Sequence, residues 1–426
     1  MAFILFGTLF LMLFLNVPIA VSMGVAVLLA LTTSDTATST MMITQRMFTA
    51  VDNFPFMAVP FFILAGDLME RGGISKRIIS FAKALLGKLP ASLAIITTAA
   101  SAFFGAISGS NPATVAAIGG LMIPAMTKAG YPKERAAAVA AASGTLGVVI
   151  PPSISMITYA VVASVSVGTM FIAGIVPGII LALAIVFVSV ITCRQYEQGS
   201  TQSLNARQFF GSFMDAFWAL MMPVIILGGI YGGVFTPTEA AAVSCVYAFI
   251  VSKFIYKELQ YSQLRDIFAK SATSTAIVLF IVAVSSSFSW LMTSAGVPAQ
   301  ISSFMLDSFQ NKYVIFLMIN VSLLFLGMFL ETQSIILLMT PILLPLAAQL
   351  GMHPIALGLI IIVNTSVGMI TPPMAVNLFV ASGISKASIE EISRKIVPYF
   401  IALVAVLLFL TYFSDVLMWL PNILQK

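Results

Sequence analysis

Two long apolar stretches carry the same interruption: GVVIPPSIS at residues 147–155 and GMITPPMAV at residues 368–376. Proline removes a backbone donor and clashes with the preceding helical turn, while glycine lets backbone approach closely. In lipid a chain must satisfy its backbone groups internally, so irregular backbone at membrane depth has to face protein or a wet cavity. Two Gly-x-x-x-Pro-Pro breaks, one per half of the chain, therefore point to discontinuous helices that build a solute and ion site near mid-membrane.

Composition sets the solvent. With 60% hydrophobic and 8% charged residues among 426, the chain has too little charge to coat a water-facing surface, and the mean hydropathy of +1.08 agrees with lipid as its surroundings. The sequence describes an all-α polytopic membrane protein that forms a single integral membrane domain over 1–426. The first apolar stretch, 3–31, lacks a basic leader and a small-residue cleavage site and is expected to stay as a span. Cys193 and Cys245 cannot make a disulfide framework or a cysteine metal cluster. A net charge of +5 with one histidine suits lipid headgroups and gives no sign of nucleic-acid binding.

A crossing needs about 20 residues, which sets two segments apart. Residues 91–127 and 313–347 are long and are interrupted near the middle, by Ser108, Gly109, Ser110, Asn111 and Pro112 in the first and by Gly327, Glu331, Thr332 and Gln333 in the second. Both are expected to be re-entrant hairpins, each followed directly by a broken helix. A shift of 221 positions lays Pro124 on Pro345, Gly130 on Gly351, Gly147 on Gly368, Pro151 and Pro152 on Pro372 and Pro373, and Pro177 on Pro398, without a gap. That is an internal repeat of hairpin, broken helix and following span.

Four crossings separate the first break from the second hairpin, so the second half is expected to be upside down: one inverted repeat over about 1–195, the other over about 236–420, with a linking span at about 212–231. This layout gathers 17 of the 20 Lys and Arg residues on one face. By the positive-inside rule that face is cytoplasmic, with the N-terminus inside and the C-terminus periplasmic. The stretch 75–89 reads as an amphipathic arm on the inner surface, and 297–310 as its outer counterpart.

The residue types suit ion and anion binding. At a helix break the last carbonyls carry partial negative charge and the next amides partial positive charge. Ser108, Ser110 and Asn111 at the first tip, and Thr332 and Gln333 at the second, supply hard oxygens suited to Na⁺. The plainer alternative is that Gly and Pro kink two helices and the polar residues satisfy freed backbone groups. Glu331, which matches Ser110, is a candidate for charge balance or gating, against a role as a helix cap or ion-pair partner. Asp52, Asp67, Glu70 and Glu239, near expected span ends, read as caps or interfacial groups, and His353 as an ordinary turn residue.

The hairpin sequence FFGAISGSNPATVAAIGGLMIPAM, the following KAGYPKERAAAVAAASGTLGVVIPPSI and the later GMITPPMAVNLFVASGI resemble the large membrane subunit of tripartite ATP-independent periplasmic (TRAP) transporters, over essentially the whole chain. The resemblance implies an elevator-type, Na⁺-coupled secondary transporter of organic acid anions such as sialic acid or C4-dicarboxylates, with no organic cofactor. It also implies a separate small membrane subunit of four helices, a periplasmic substrate-binding protein, and residence in a bacterial inner membrane. By similarity, Na⁺ would lie around Ser108, Ser110, Asn111, Gly147 and Val148, and around Gly327, Glu331, Gly368 and Thr371. Substrate contacts would fall near Ser153, Ser155, Pro373 and Asn377.

Other classes have less support. No Gly-x-x-x-x-Gly-Lys-Ser/Thr loop is present, and a single histidine excludes His-Glu-x-x-His zinc chemistry. GAISG at 105–109 has no histidine nearby to activate its serine as an enzyme nucleophile. An ion channel would more often build one pore around an axis of subunits. The main rival is a Na⁺- or H⁺-coupled carboxylate carrier that works without a binding protein.

Overall fold

The computed structural model describes residues 1–15, 17–33, 40–196, 206–309, 311–372 and 374–424. Among them the chain is helical throughout, with no strand. Six helices are long and apolar enough to cross a membrane, and a seventh span is possible if Met41–Val51 and Phe54–Arg71, bent by 62°, act as one. The protein is a multi-pass membrane protein.

The beginning differs from expectation. Residues 3–31 form two helices, Ala2–Phe14 and Ile19–Thr32, instead of one span, and the two pack side by side. Pro18 explains this, since it ends one helix, keeps Val17 out of helical geometry and starts the next. Thirteen and fourteen residues are each fewer than an ordinary crossing takes, so neither helix alone is the single span expected over 3–31.

Both hairpins are present. The first runs out along Ser92–Ser108, turns at Gly109 and Ser110, and returns through Asn111–Thr114 and Gly120–Lys128. Gly109 sits at φ +60°, a left-handed conformation that ends the outgoing helix without Cβ strain. Thr97 Oγ1 donates to Met126 Sδ at 3.6 Å, so the start of one arm lies beside the end of the other. The second hairpin runs out along Lys312–Gly327 and back along Thr332–Gln349.

Return arms are required by how the outgoing arms sit on the broken helices. Thr98 and Ser143 share a hydrogen bond of 3.0 Å, and further along, a Cβ on Gly105 would lie 2.9 Å from Gly147 Cα. In the second half Asn364 Nδ2 donates to Asn320 Oδ1 at 2.8 Å, and a Cβ on Gly368 would lie 2.7 Å from Gly327 Cα. Each outgoing arm therefore runs alongside the first part of its broken helix and ends at the depth of the break. The chain must come back before the broken helix can begin. The outgoing arms match at a shift of 222 positions (Thr98 with Asn320, Gly105 with Gly327), whereas the return arms match at a shift of 221, so the second tip is one residue shorter. The two halves do not superpose without a gap.

The broken helices are Lys133–Gly144 with Ile154–Val162, and Pro354–Gly368 with Val376–Ser385. Ala136 to Ala142 are buried, and their small side chains let neighbouring backbones come close. Tyr159 lays its ring over Gly358 and donates its hydroxyl to Pro354 O at 2.5 Å, tying the second part of one broken helix to the first part of the other. Ser366 Oγ donates to Thr145 O at 2.6 Å, across a separation of 221 residues. Matched residues touching each other mark the pseudo-symmetry centre of the inverted repeat, at the breaks.

The surrounding frame is held by charge. Arg77, on the inner arm Ile74–Leu86, reaches Asp215 at 3.2 Å and Glu258 at 2.6 Å, and stacks on Tyr256 with its guanidinium 3.8 Å from the ring centre. The outer arm is Val297–Ser308.

Candidate functional site at the hairpin tips

A cavity of about 230 Å³ opens where the two tips face each other. Its walls include Ser108, Ser110 and Asn111 from the first tip, Glu331, Thr332 and Gln333 from the second, and Val148, Ser155 and Met369 from the breaks.

The first tip is tightly organised. Thr114 Oγ1 donates to Ser110 O at 2.7 Å and shares a 3.1 Å hydrogen bond with Ser108 Oγ. Asn111 is fully buried. Its Oδ1 accepts from Val148 N at 2.9 Å, and its Nδ2 donates to Ser366 Oγ at 2.8 Å. One side chain thus links the first tip to both broken helices. Several oxygens lie within a few bonds of each other at this tip, the kind of donor set that hard cations prefer.

The second tip is looser and carries charge. Glu331 is the residue before the return helix and is exposed, lining the cavity. Thr332 is buried, with its hydroxyl 3.9 Å from Met369 Sδ. Gln333 Nε2 donates to Ser155 Oγ at 3.3 Å, so the second tip touches the first break.

At the second break Thr371 N donates to Gly368 O at 2.9 Å, and Thr371 Oγ1 donates to Val367 O at 2.9 Å. The Gly368 carbonyl is therefore engaged by backbone, though a carbonyl oxygen has a second lone pair. Asn377 Nδ2 donates to Ala141 O at 3.3 Å. Pro373 lies outside the described residues. Ser153 Oγ, Gln333 Oε1 and Asn377 Oδ1 are buried without a hydrogen-bond partner. Such oxygens cost free energy unless something else satisfies them.

Ser108, Ser110, Asn111, Val148, Ser155 and Glu331 therefore share one cavity. Gly147 and Gly327 lie behind it as contact points: a Cβ on Gly147 would sit 2.5 Å from Ser110 O, and one on Gly327 would sit 3.1 Å from Gly368 Cα. His353, expected to be an ordinary turn residue, caps the helix Pro354–Gly368, its Nδ1 accepting from Ile355 N at 3.2 Å. Glu239 caps its helix with Thr236, as expected.

Two carboxylates have partners that the sequence reading did not name. Asp67 and Glu70, in the last turns of Ala58–Arg71, line the same cavity and pair with Lys270 at 2.7 and 3.4 Å. Their i, i+3 spacing was visible in the sequence, but Lys270 lies about 200 residues away and only tertiary packing brings it there. Ser366 was also missed, and its match to Thr145 under the repeat was the available signal.

The fold is shared with solved transporters. The chain aligns with the YdaH transporter of Alcanivorax borkumensis at a TM-score of 0.62 and 15% identity, covering 88% of each chain. It aligns with MtrF of Neisseria gonorrhoeae at a TM-score of 0.58 and 15% identity, covering 88% of this chain and 83% of that one. In sequence it is 40% identical to the C4-dicarboxylate TRAP transporter large permease protein DctM of Rhodobacter capsulatus, covering 99% of both chains. It is 43% identical to the isethionate TRAP transporter permease protein DctMQ of Oleidesulfovibrio alaskensis, over 96% of this chain but only 64% of that longer one. The sialic acid TRAP transporter large permease protein SiaM of Vibrio cholerae is 35% identical over 97% of this chain and 96% of its own. Residues 6–416 match the family model of the DctM component of tripartite ATP-independent periplasmic transporters. With two broken helices, two re-entrant tips and this match along nearly its whole length, the chain belongs to the DctM family of TRAP transporter permeases and is not an enzyme.

Proposed function

We propose that this chain performs Na⁺-coupled secondary uptake of an organic acid anion by an elevator motion, in a bacterial inner membrane. It would work with a small four-helix membrane subunit and a periplasmic binding protein that delivers the anion. The observation that carries this reading is the convergence of both tips and the first break on one cavity, whose walls include Gln333 with its buried, unpartnered Oε1. Na⁺ is a cargo here: Ser108 Oγ, Ser110 O, Thr114 Oγ1 and Asn111 Oδ1 offer it hard oxygens, and the second tip adds the Glu331 carboxylate. Ser153, Ser155 and Asn377, with the amides that start the second part of each broken helix, would meet the carboxylate of the substrate. The names of relatives suggest C4-dicarboxylates, isethionate, sialic acid or 2,3-diketo-L-gulonate as chemical classes to try.

The pattern of ion pairs supports the elevator. Among the described residues, every ion pair between helices or to a loop joins frame to frame: Arg77 with Asp215 and Glu258, and Lys270 with Asp67 and Glu70. None ties a hairpin or broken helix to that frame, so sliding would break no charge pair. Two inverted repeats, about 1–195 and 236–420, fit this division, with the basic face cytoplasmic and the C-terminus periplasmic. The cavity reaches Asp67, Glu70 and Lys270 on the basic side, which fits a state open to the cytoplasm.

The test is uptake of labelled anions by proteoliposomes that hold this chain and its small subunit, with and without a Na⁺ gradient and the binding protein. Uptake that needs both supports the reading. Na⁺-driven uptake without the binding protein would replace it with an ordinary carboxylate carrier, and rapid uncoupled flux would favour a channel.

A further inference from the structure

The cluster of Asp67, Glu70, Lys270 and Ser271 lies opposite the first tip, on the helices Ala58–Arg71 and Tyr261–Ser294, which belong to neither hairpin. Lys270 is the one basic side chain among the described residues that line the cavity, whereas Asp67, Glu70 and Glu331 all face it. An anion in this cavity therefore meets three carboxylates and one cation.

The three partners hold Lys270 unequally. Asp67 is only 11% exposed, lies 2.7 Å from Lys270 Nζ, and is fixed on its other oxygen by Ser271 Oγ at 2.6 Å. Glu70 is 35% exposed and its contact is longer, 3.4 Å. Lys270 itself is 55% exposed although paired. An ammonium carries three donors. Asp67 occupies one firmly, Glu70 another loosely, and the rest of the group is open to the cavity.

We propose that Lys270 is the anion contact on the cytoplasmic release path, and that Asp67 restrains it so that the anion leaves. A substrate carboxylate in the cavity competes with Glu70 for Lys270. Because Asp67 keeps its hold, that contact stays weak and the anion passes on instead of lodging. The proposal rests on the reading of this chain as an anion transporter, and adds a residue on the fixed frame to a site otherwise built from tips and breaks. The competing role is a brace between the two frame helices.

The experiment uses the reconstituted complex with its binding protein, and whichever of succinate, isethionate, sialic acid or 2,3-diketo-L-gulonate the wild type accumulates. Unlabelled anion is loaded inside, and the internal concentration that half-saturates exchange with external label is measured, together with the external half-saturation and the melting temperature. Losing a charge-assisted contact should raise the internal half-saturation of Lys270→Gln by about tenfold. Lys270→Arg should stay within about threefold, since the charge remains. Asp67→Asn should move the other way, lowering the internal half-saturation by about threefold, because the restraint on Lys270 is weaker. The external half-saturation should be little changed in all three.

A brace predicts that Lys270→Gln and Asp67→Asn act in the same direction, lowering the melting temperature and maximal rate together, and that result would overturn the proposal. So would normal internal half-saturation in Lys270→Gln. If the wild type accumulates none of the four anions, the transport reading fails and takes this inference with it. If the wild type accumulates one and only the opposite shifts are missing, this inference alone fails.

Discussion

The two hairpin tips occupy matched places in the repeat and do different work. The first has no charge and is fixed by side chains, with Asn111 bonded to Val148 N and Ser366 Oγ, and Thr114 bonded to Ser108 and Ser110. The second is one residue shorter, presents Glu331, and is held by a long side-chain bond from Gln333 to Ser155 and a weak contact of the Thr332 hydroxyl with Met369 Sδ. The two halves therefore share a geometry, a glycine pressed on a glycine where an arm meets a break. On that shared geometry one tip is an uncharged cluster of bonded oxygens and the other presents a carboxyl group.

That comparison can be broken first at the shared geometry. Gly368→Ala would put a Cβ 2.7 Å from Gly327 Cα, and Gly147→Ala would put one 2.5 Å from Ser110 O. Both should reduce uptake to below about a tenth of wild type, with overpacking costing roughly 1–3 kcal/mol in thermal unfolding. If one is tolerated, the two breaks are not equivalent.

The next largest effect separates the tips. Asn111 and Thr332 are matched positions. Asn111→Ala strands the Val148 amide and should cost about 1–3 kcal/mol, with uptake down more than about tenfold. Thr332→Ala should stay within about threefold, because its hydroxyl makes only a weak sulfur contact. Equal losses would show that the tips are organised alike.

Charge gives a smaller, ion-specific contrast. Glu331→Gln should raise the Na⁺ half-saturation by about fivefold, whereas Ser110→Ala, at the matched position, should raise it by about twofold or less. The Ser110 group that the first tip uses is its carbonyl, which alanine retains. Gln333→Ala falls below Glu331→Gln in effect, and is expected to weaken anion half-saturation by about threefold through loss of roughly one ordinary hydrogen bond to Ser155.

Much of this fold was legible because Gly and Pro act locally. The paired breaks, the tip sequences and the matched prolines each announce themselves within a few residues. Pro18 announced itself as well, yet the apolar run around it masked the turn that splits 3–31 into two helices. What stayed hidden depends on how the halves interlock. The sequence offers Asn111 and Ser366 as polar residues in separate halves, and nothing local says that they bond. Asp67 looked like a span-end group because its partner, Lys270, sits in a helix from the other half. The one-residue offset between outgoing arms was invisible because Gly105 and Gly327 match only once their contacts with Gly147 and Gly368 are known.

The central claim is that both tips serve one Na⁺-coupled site. The most direct test follows radioactive sodium and labelled anion together into proteoliposomes that hold the complex and its binding protein, for wild type, Asn111→Ala and Glu331→Gln. The account predicts that sodium and anion enter wild-type vesicles in a constant ratio, and that a substitution at either tip lowers both fluxes. Anion accumulation that continues when choline replaces Na⁺, or sodium entry untouched by both substitutions, would contradict it.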